Sequence, residues 1–136
     1  MKKRSGTIAA SAVALFLAGA WVQVMNAQQP PAVKRTLILK QDMTIPGREA
    51  VMAVVDLPPG SAEGRHTHPA EVFAFVQEGT ITLQVEGKPD ATLKAGDHFY
   101  IAPGQVHQAI NGGNAPARLA AVFVAEKGKP LTTPAK

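Results

Sequence analysis

The chain has 136 residues, 46% of them hydrophobic and 18% charged, with 12 Gly, 11 Pro and no Cys. That length and ordinary apolar content fit one folded domain and exclude collagen-like, coiled-coil, disulfide-framework and wholly disordered classes. The formal charge of +4 suggests an anionic partner only until the charges are placed along the chain.

Lys2, Lys3 and Arg4 open the sequence, no charged residue follows until Lys34, and residues 8–20 form an apolar run. A basic start, a short apolar segment and small residues after it make the pattern of a secretory signal. Cleavage after Ala27 leaves the polar start Gln28-Gln29-Pro30-Pro31, whereas Ala18-Gly19-Ala20 offers an earlier small-x-small site. A retained anchor is the alternative, because residues 7–25 are long enough to span a bilayer. Gln23 and Asn26 dilute its far end and no stop-transfer charge cluster follows. The expectation is a signal peptide over 1–27 and an exported domain, periplasmic or secreted, over 28–136, with no membrane contact after cleavage. Removal of 1–27 takes away three of the 14 basic residues and none of the 10 acidic ones, leaving a net charge of +1. No surplus for nucleic acid remains. An exported protein without Cys has neither disulfides nor thiolate metal sites, so a bound metal must be held by imidazole and carboxylate.

Turn residues punctuate the mature chain at Pro46-Gly47, Pro58-Pro59-Gly60, Glu78-Gly79, Gly87-Lys88-Pro89, Ala95-Gly96-Asp97, Pro103-Gly104 and Asn111-Gly112-Gly113. Between them, strands are predicted over 36–41, 48–57, 72–76, 80–86, 91–94, 98–101, 106–110 and 118–125. The clearest alternation is Thr80-Ile81-Thr82-Leu83-Gln84-Val85-Glu86, with Ile81, Leu83 and Val85 on one face. No window supports a long helix. Some eight short strands in a domain core of 34–126 describe an all-β fold, an antiparallel sandwich or a jelly-roll barrel. Residues 127–136, with Lys and Pro and little to bury, are expected to form an extended or frayed tail without chemistry.

All four histidines lie between positions 66 and 107. His66 and His68 are two apart, so in an extended strand both imidazoles project from one face, as two ring nitrogens on one cation require. His107 belongs to a distant segment that an antiparallel sheet can return beside them. His98 alternates with Phe99 and is expected on the polar surface. Gly79, Gly87, Gly96 and Gly104 are turn formers rather than phosphate binders, because no helix start follows any of them.

The stretch Gly60-Ser-Ala-Glu-Gly-Arg-His66-Thr-His68-Pro-Ala-Glu71-Val-Phe-Ala-Phe-Val-Gln-Glu-Gly79 resembles the first motif of the cupin superfamily. Its second motif is matched by Gly96-Asp-His-Phe-Tyr-Ile-Ala-Pro-Gly104-Gln-Val-His107-Gln-Ala-Ile-Asn111. The resemblance implies a small single-domain cupin jelly roll, or double-stranded β-helix barrel, that pairs into homodimers. It also implies one divalent metal held by two His and a Glu of the first motif and a His of the second. His66, His68 and His107 inherit ligand roles on that basis. The family's glutamate position falls on Val72, and the acid at hand is Glu71, one residue early. A one-residue slip turns a strand side chain to the other face, so Glu71 reaches the metal only through a bulge at Pro69-Ala70 and is otherwise an exposed edge acid. Ala102 also stands where the family has a proline, with Pro103 keeping the turn rigid.

Phe73, Phe75, Phe99, Tyr100 and Phe123 are read as core, with Tyr100 the one able to orient a ligand through its phenol. Arg65 is read as a solvated surface residue with the option of meeting an anionic substrate at the barrel mouth. Three imidazoles, with or without Glu71, suit Fe, Mn, Ni, Co or Zn and leave positions for water, dioxygen or a chelating small molecule. The function expected is a metal-dependent, dioxygenase-like oxidoreductase, or an isomerase or hydrolase with Zn or Mn, with Glu71 as ligand or general base. A non-catalytic metal- or small-molecule-binding module on the same barrel is the alternative. A second copy of the chain is expected to pair against a flat sandwich face rich in small and apolar residues, such as the strand 120–124.

Overall fold

The computed structural model describes residues 29–136, so the signal peptide expected over 1–27 lies outside the described residues. Ten strands follow in order: β1 (Lys34–Asp42), β2 (Arg48–Leu57), β3 (His66–Thr67), β4 (Ala70–Glu78), β5 (Thr80–Val85), β6 (Ala91–Lys94), β7 (His98–Ile101), β8 (His107–Ile110), β9 (Ala117–Glu126) and β10 (Thr133–Pro134). They form two five-stranded antiparallel sheets, ordered β1-β2-β9-β4-β7 and β10-β3-β8-β5-β6. The eight predicted strands are present to within two residues at each end. The two additional strands, β3 and β10, have two residues each, too short for a periodic signal.

Alternation decides what each strand buries. On β4 the residues Ala70, Val72, Ala74 and Val76 face inward, and on β9 Ala117, Leu119, Ala121, Phe123 and Ala125 do so. Bulky residues close one end of the sandwich, where Leu57, Val76, Ile81 and Leu119 pack together. Toward the other end Ala53, Ala74 and Ala121 are too small to fill the space between the sheets, and a cavity of about 210 Å³ remains. Gly79, at φ 75°, ends β4 where the chain crosses Pro116; a Cβ there would overlap the Pro116 carbonyl oxygen.

Residues 133–134, in the tail expected to be extended or frayed, are extended: Pro134 and Thr133 pair with His66 and Thr67, and Ala135 N–H donates to the Arg65 carbonyl at 2.9 Å. Proline is tolerated there because β10 is an edge strand. The run 120–124, on the face expected to meet a second copy, lies within β9, hydrogen-bonded to β2 on one side and β4 on the other. The edge strands of that sheet are β7 and β1, and all nine residues of β1 are exposed, including Leu37, Ile38 and Leu39.

Candidate metal centre

His66 and His68 come from β3 and the residue just after it, and period-two geometry puts both imidazoles on the inner face, with Thr67 between them half-buried. His107 opens β8 and is the cross-strand partner of His66. The second motif's turn is tied to the first, since Gly104 N–H donates to the His68 carbonyl at 2.8 Å. All three histidines are buried, and one ring nitrogen of each lies within 4.8 Å of those of the other two. Ring centroids are 4.4 Å apart for His66 and His107, 4.7 Å for His66 and His68, and 5.0 Å for His68 and His107. Phe123 meets His68 edge-on at 5.0 Å.

The hydrogen bonds fix the tautomers. His66 Nδ1 stands 2.7 Å from the Gly64 carbonyl, His68 Nδ1 2.7 Å from the Leu131 carbonyl, and His107 Nδ1 2.9 Å from the Gln105 carbonyl. A carbonyl only accepts, so each Nδ1 carries the proton and each Nε2 is left with its lone pair. Such outer-shell carbonyls orient imidazoles on metals. Burial also holds His68 and His107 neutral. Desolvation lowers the His68 pKa to about 4; its bond to Leu131 opposes the shift, and His66, His107 and Arg35 add to it. Desolvation likewise lowers that of His107, against the raising effects of the Gln105 carbonyl and Glu63. Three buried imidazoles, each with Nδ1–H on a carbonyl, are the donor set that Zn, Fe, Mn, Ni and Co accept, so the residues fit a divalent transition metal.

Glu71 is not in this group. β4 begins at Ala70 with that residue turned inward, and its register with β9 runs without a bulge from Ala70 to Val76. Alternation therefore puts Glu71 on the outer, exposed face, where the Tyr100 hydroxyl stands 3.5 Å from its Oε1. The expected roles of Glu71 as ligand and general base are corrected on that ground. Val72 takes the inward position and lines the cavity. Tyr100, Phe73 and Phe75 are exposed on the same outer face as Glu71, so three of the five aromatics read as core are not core; Phe99 and Phe123 line the cavity. His98 is exposed, as alternation required. Arg65 is bound to Glu86 at 2.8 Å beside a hollow next to the site.

Two cavity residues went unnoticed in the sequence. Glu63 projects into the cavity with its side chain only 9% exposed, Oε2 accepting from Ala109 N–H at 3.1 Å and Oε1 from Arg35 Nη2 at 3.3 Å. Arg35 reaches the same cavity from β1. Glu63 lies in a loop and Arg35 on an edge strand, where no alternation rule points inward; the one available signal was the nearness of Glu63 to His66.

Residues 53–123 match the family described as Cupin domain. The chain belongs to the cupin family. This cupin is 38% identical over 89 residues to the Germin-like protein subfamily 2 member 1 of Arabidopsis thaliana, covering 60% of this chain and 41% of that protein. It is 30% identical over 66 residues to the Tetracenomycin polyketide synthase protein TcmJ of Streptomyces glaucescens, covering 48% and 44%. The cupin thus spans less than half the length of each of these relatives. Among solved structures, a protein with a double-stranded β-helix domain from Klebsiella pneumoniae superposes with a TM-score of 0.64 at 26% identity, covering 76% of this chain and 84% of that one.

Proposed function

We propose that this cupin holds one divalent transition metal, Fe, Mn, Ni, Co or Zn, on Nε2 of His66, His68 and His107. In this reading it acts on a small oxygen-bearing molecule as a metal-dependent oxidoreductase of the dioxygenase type. The observation that carries the reading is the common orientation of the three imidazoles, each with Nδ1–H on a backbone carbonyl and its other nitrogen free inside one cavity. A purely structural barrel has no need of three buried, desolvated histidines. A bound ion would supply Lewis acidity and, if redox-active, electrons for dioxygen. The chain supplies a dry site: Val72, Phe99, Phe123 and Leu131 line it and limit water. With Zn or Mn the same residues suit isomerisation or hydrolysis.

One observation favours the second reading, a non-catalytic binding module: Glu71 faces away, and Glu63, the carboxylate lining the cavity, is held by Ala109 N–H and Arg35. We further propose export, on the pattern of residues 1–27 and the lack of Cys, and a homodimer formed through the exposed apolar edge of β1.

The test is metal analysis by mass spectrometry on residues 28–136, purified without chelator or affinity metal, beside the His66→Ala/His68→Ala double variant. One metal per chain, lost in the variant, is expected, followed by oxygen uptake with enediol or catechol substrates. No metal after reconstitution with Fe(II), Mn(II), Ni(II) and Zn(II) overturns the reading. Metal without turnover leaves the binding module.

A further inference from the structure

The cavity's charges point to what it binds. Three neutral imidazoles bring no negative charge to a dication, Val72 fills the inward position on β4, and Glu71 lies outside. Glu63 is the one carboxylate among the cavity-lining residues, and both of its oxygens are engaged, by Ala109 N–H and by Arg35. Arg35 cancels Glu63, so a dication held by the histidines would stand uncompensated among apolar walls, where electrostatic attraction is stronger than in water. Arg35 itself is only partly used. Its Nη2 makes a long 3.3 Å contact to Glu63, its side chain is 45% exposed, and its Nε and Nη1 make no hydrogen bond among the described residues. A half-engaged guanidinium fork is suited to a second carboxylate. Arg35 also borders both the cavity and the adjoining hollow beside His66 and Thr132, which places it where a ligand comes in.

We propose that Arg35 is the anion anchor of this cavity and that its ligand is a small carboxylate with an oxygen on the neighbouring carbon and a short apolar body. The carboxylate meets Arg35, the ligand's oxygens face the three imidazoles, and the body packs among Leu37, Val72, Phe99 and Leu131. A volume of about 210 Å³ restricts that body to a few carbons. Glu63 competes with the ligand for the guanidinium and sets how tightly an anion is held. The proposal rests on the metal reading above.

The two are separated by one calorimetric experiment. Zinc-loaded protein, with its zinc content measured in every sample, is titrated with 2-hydroxy-3-methylbutanoate and with its amide, matched in shape and differing in charge. In the unaltered protein the acid binds about tenfold or more tighter than the amide. Arg35→Gln weakens the acid about tenfold while leaving the amide within about twofold, and Arg35→Lys, which keeps the charge without the fork, recovers part of the loss. Glu63→Gln, which keeps an acceptor for Ala109 N–H, tightens the acid. Full zinc content with acid affinity unchanged in Arg35→Gln, with acid and amide bound alike, with Glu63→Gln weakening the acid, or with no heat from either probe, overturns the anchor and leaves the metal site standing. Protein that holds no zinc overturns both.

Discussion

His68 and Leu131 are 63 residues apart in the chain, yet the His68 Nδ1–H donates to the Leu131 carbonyl across 2.7 Å, with Thr132 Oγ1 3.3 Å from the same nitrogen. The C-terminal segment therefore sets the orientation of an imidazole in the candidate site, and the pairing of β10 with β3 holds that segment in place. Deleting residues 128–136 should weaken metal binding by about 10- to 100-fold, the usual cost of a lost outer-shell partner. The strands other than β10 should persist. Zinc affinity by chelator competition, read beside circular dichroism of full and shortened chains, checks both parts.

The outward turn of Glu71 and the inward turn of Val72 make opposite predictions for neighbouring residues. Glu71→Gln should leave metal affinity within about twofold, as expected of a group on the exposed face. Val72→Glu should bring a carboxylate to the cavity wall, destabilise the metal-free protein by burying a charge, and tighten metal binding by about tenfold or more. Thermal unfolding with and without metal should show the largest metal-induced rise in Tm for Val72→Glu. Loss of metal in Glu71→Gln alone would contradict the placement of these two side chains.

Low pH should destabilise the metal-free protein through its histidines. In the unfolded chain these imidazoles take up a proton near the ordinary value of 6.5, whereas in the folded protein His68 does so only near about 4, and His107 is shifted the same way. Between those limits the unfolded state binds more protons, so this stability is present above 6.5 and is lost as pH falls through that window. Urea midpoints measured from neutral pH down to about 4 should fall, and fall less steeply in His68→Gln. Identical slopes in the two proteins would contradict the buried, neutral state of His68.

The exposed edge of β1 predicts a dimer that one charge should break. Ile38, 58% exposed at the point where the β1–β2 register shifts, lies between Leu37 and Leu39 on an edge with no strand beyond it among the described residues. Natural proteins seldom leave such an edge bare. Sedimentation should give a dimer for residues 28–136 and a monomer for Ile38→Glu, with the strand content of the barrel retained.

The strands were legible because Gly and Pro turns punctuate the chain and apolar residues alternate along β5, and His66 and His68 because period two puts them on one face. Glu71 is the informative failure. Its position in the motif suggested a ligand, but β4 starts at Ala70 without a bulge, and alternation then sends it outward. Glu63, Arg35 and Leu131 were not legible as site residues because a loop, an edge strand and a terminal segment carry no periodic signal. Their places depend on contacts 28 to 63 residues away in sequence, Arg35 with Glu63 and His68 with Leu131.

Anomalous diffraction from crystals of the zinc-loaded protein, residues 28–136, tests the central claim most directly. The expected result is one peak per chain at about 2.0–2.1 Å from Nε2 of His66, His68 and His107, with each Nδ1 still on its carbonyl and Glu71 outside. A peak on other residues, a metal bound through Nδ1, or no peak at full zinc occupancy in solution would contradict it.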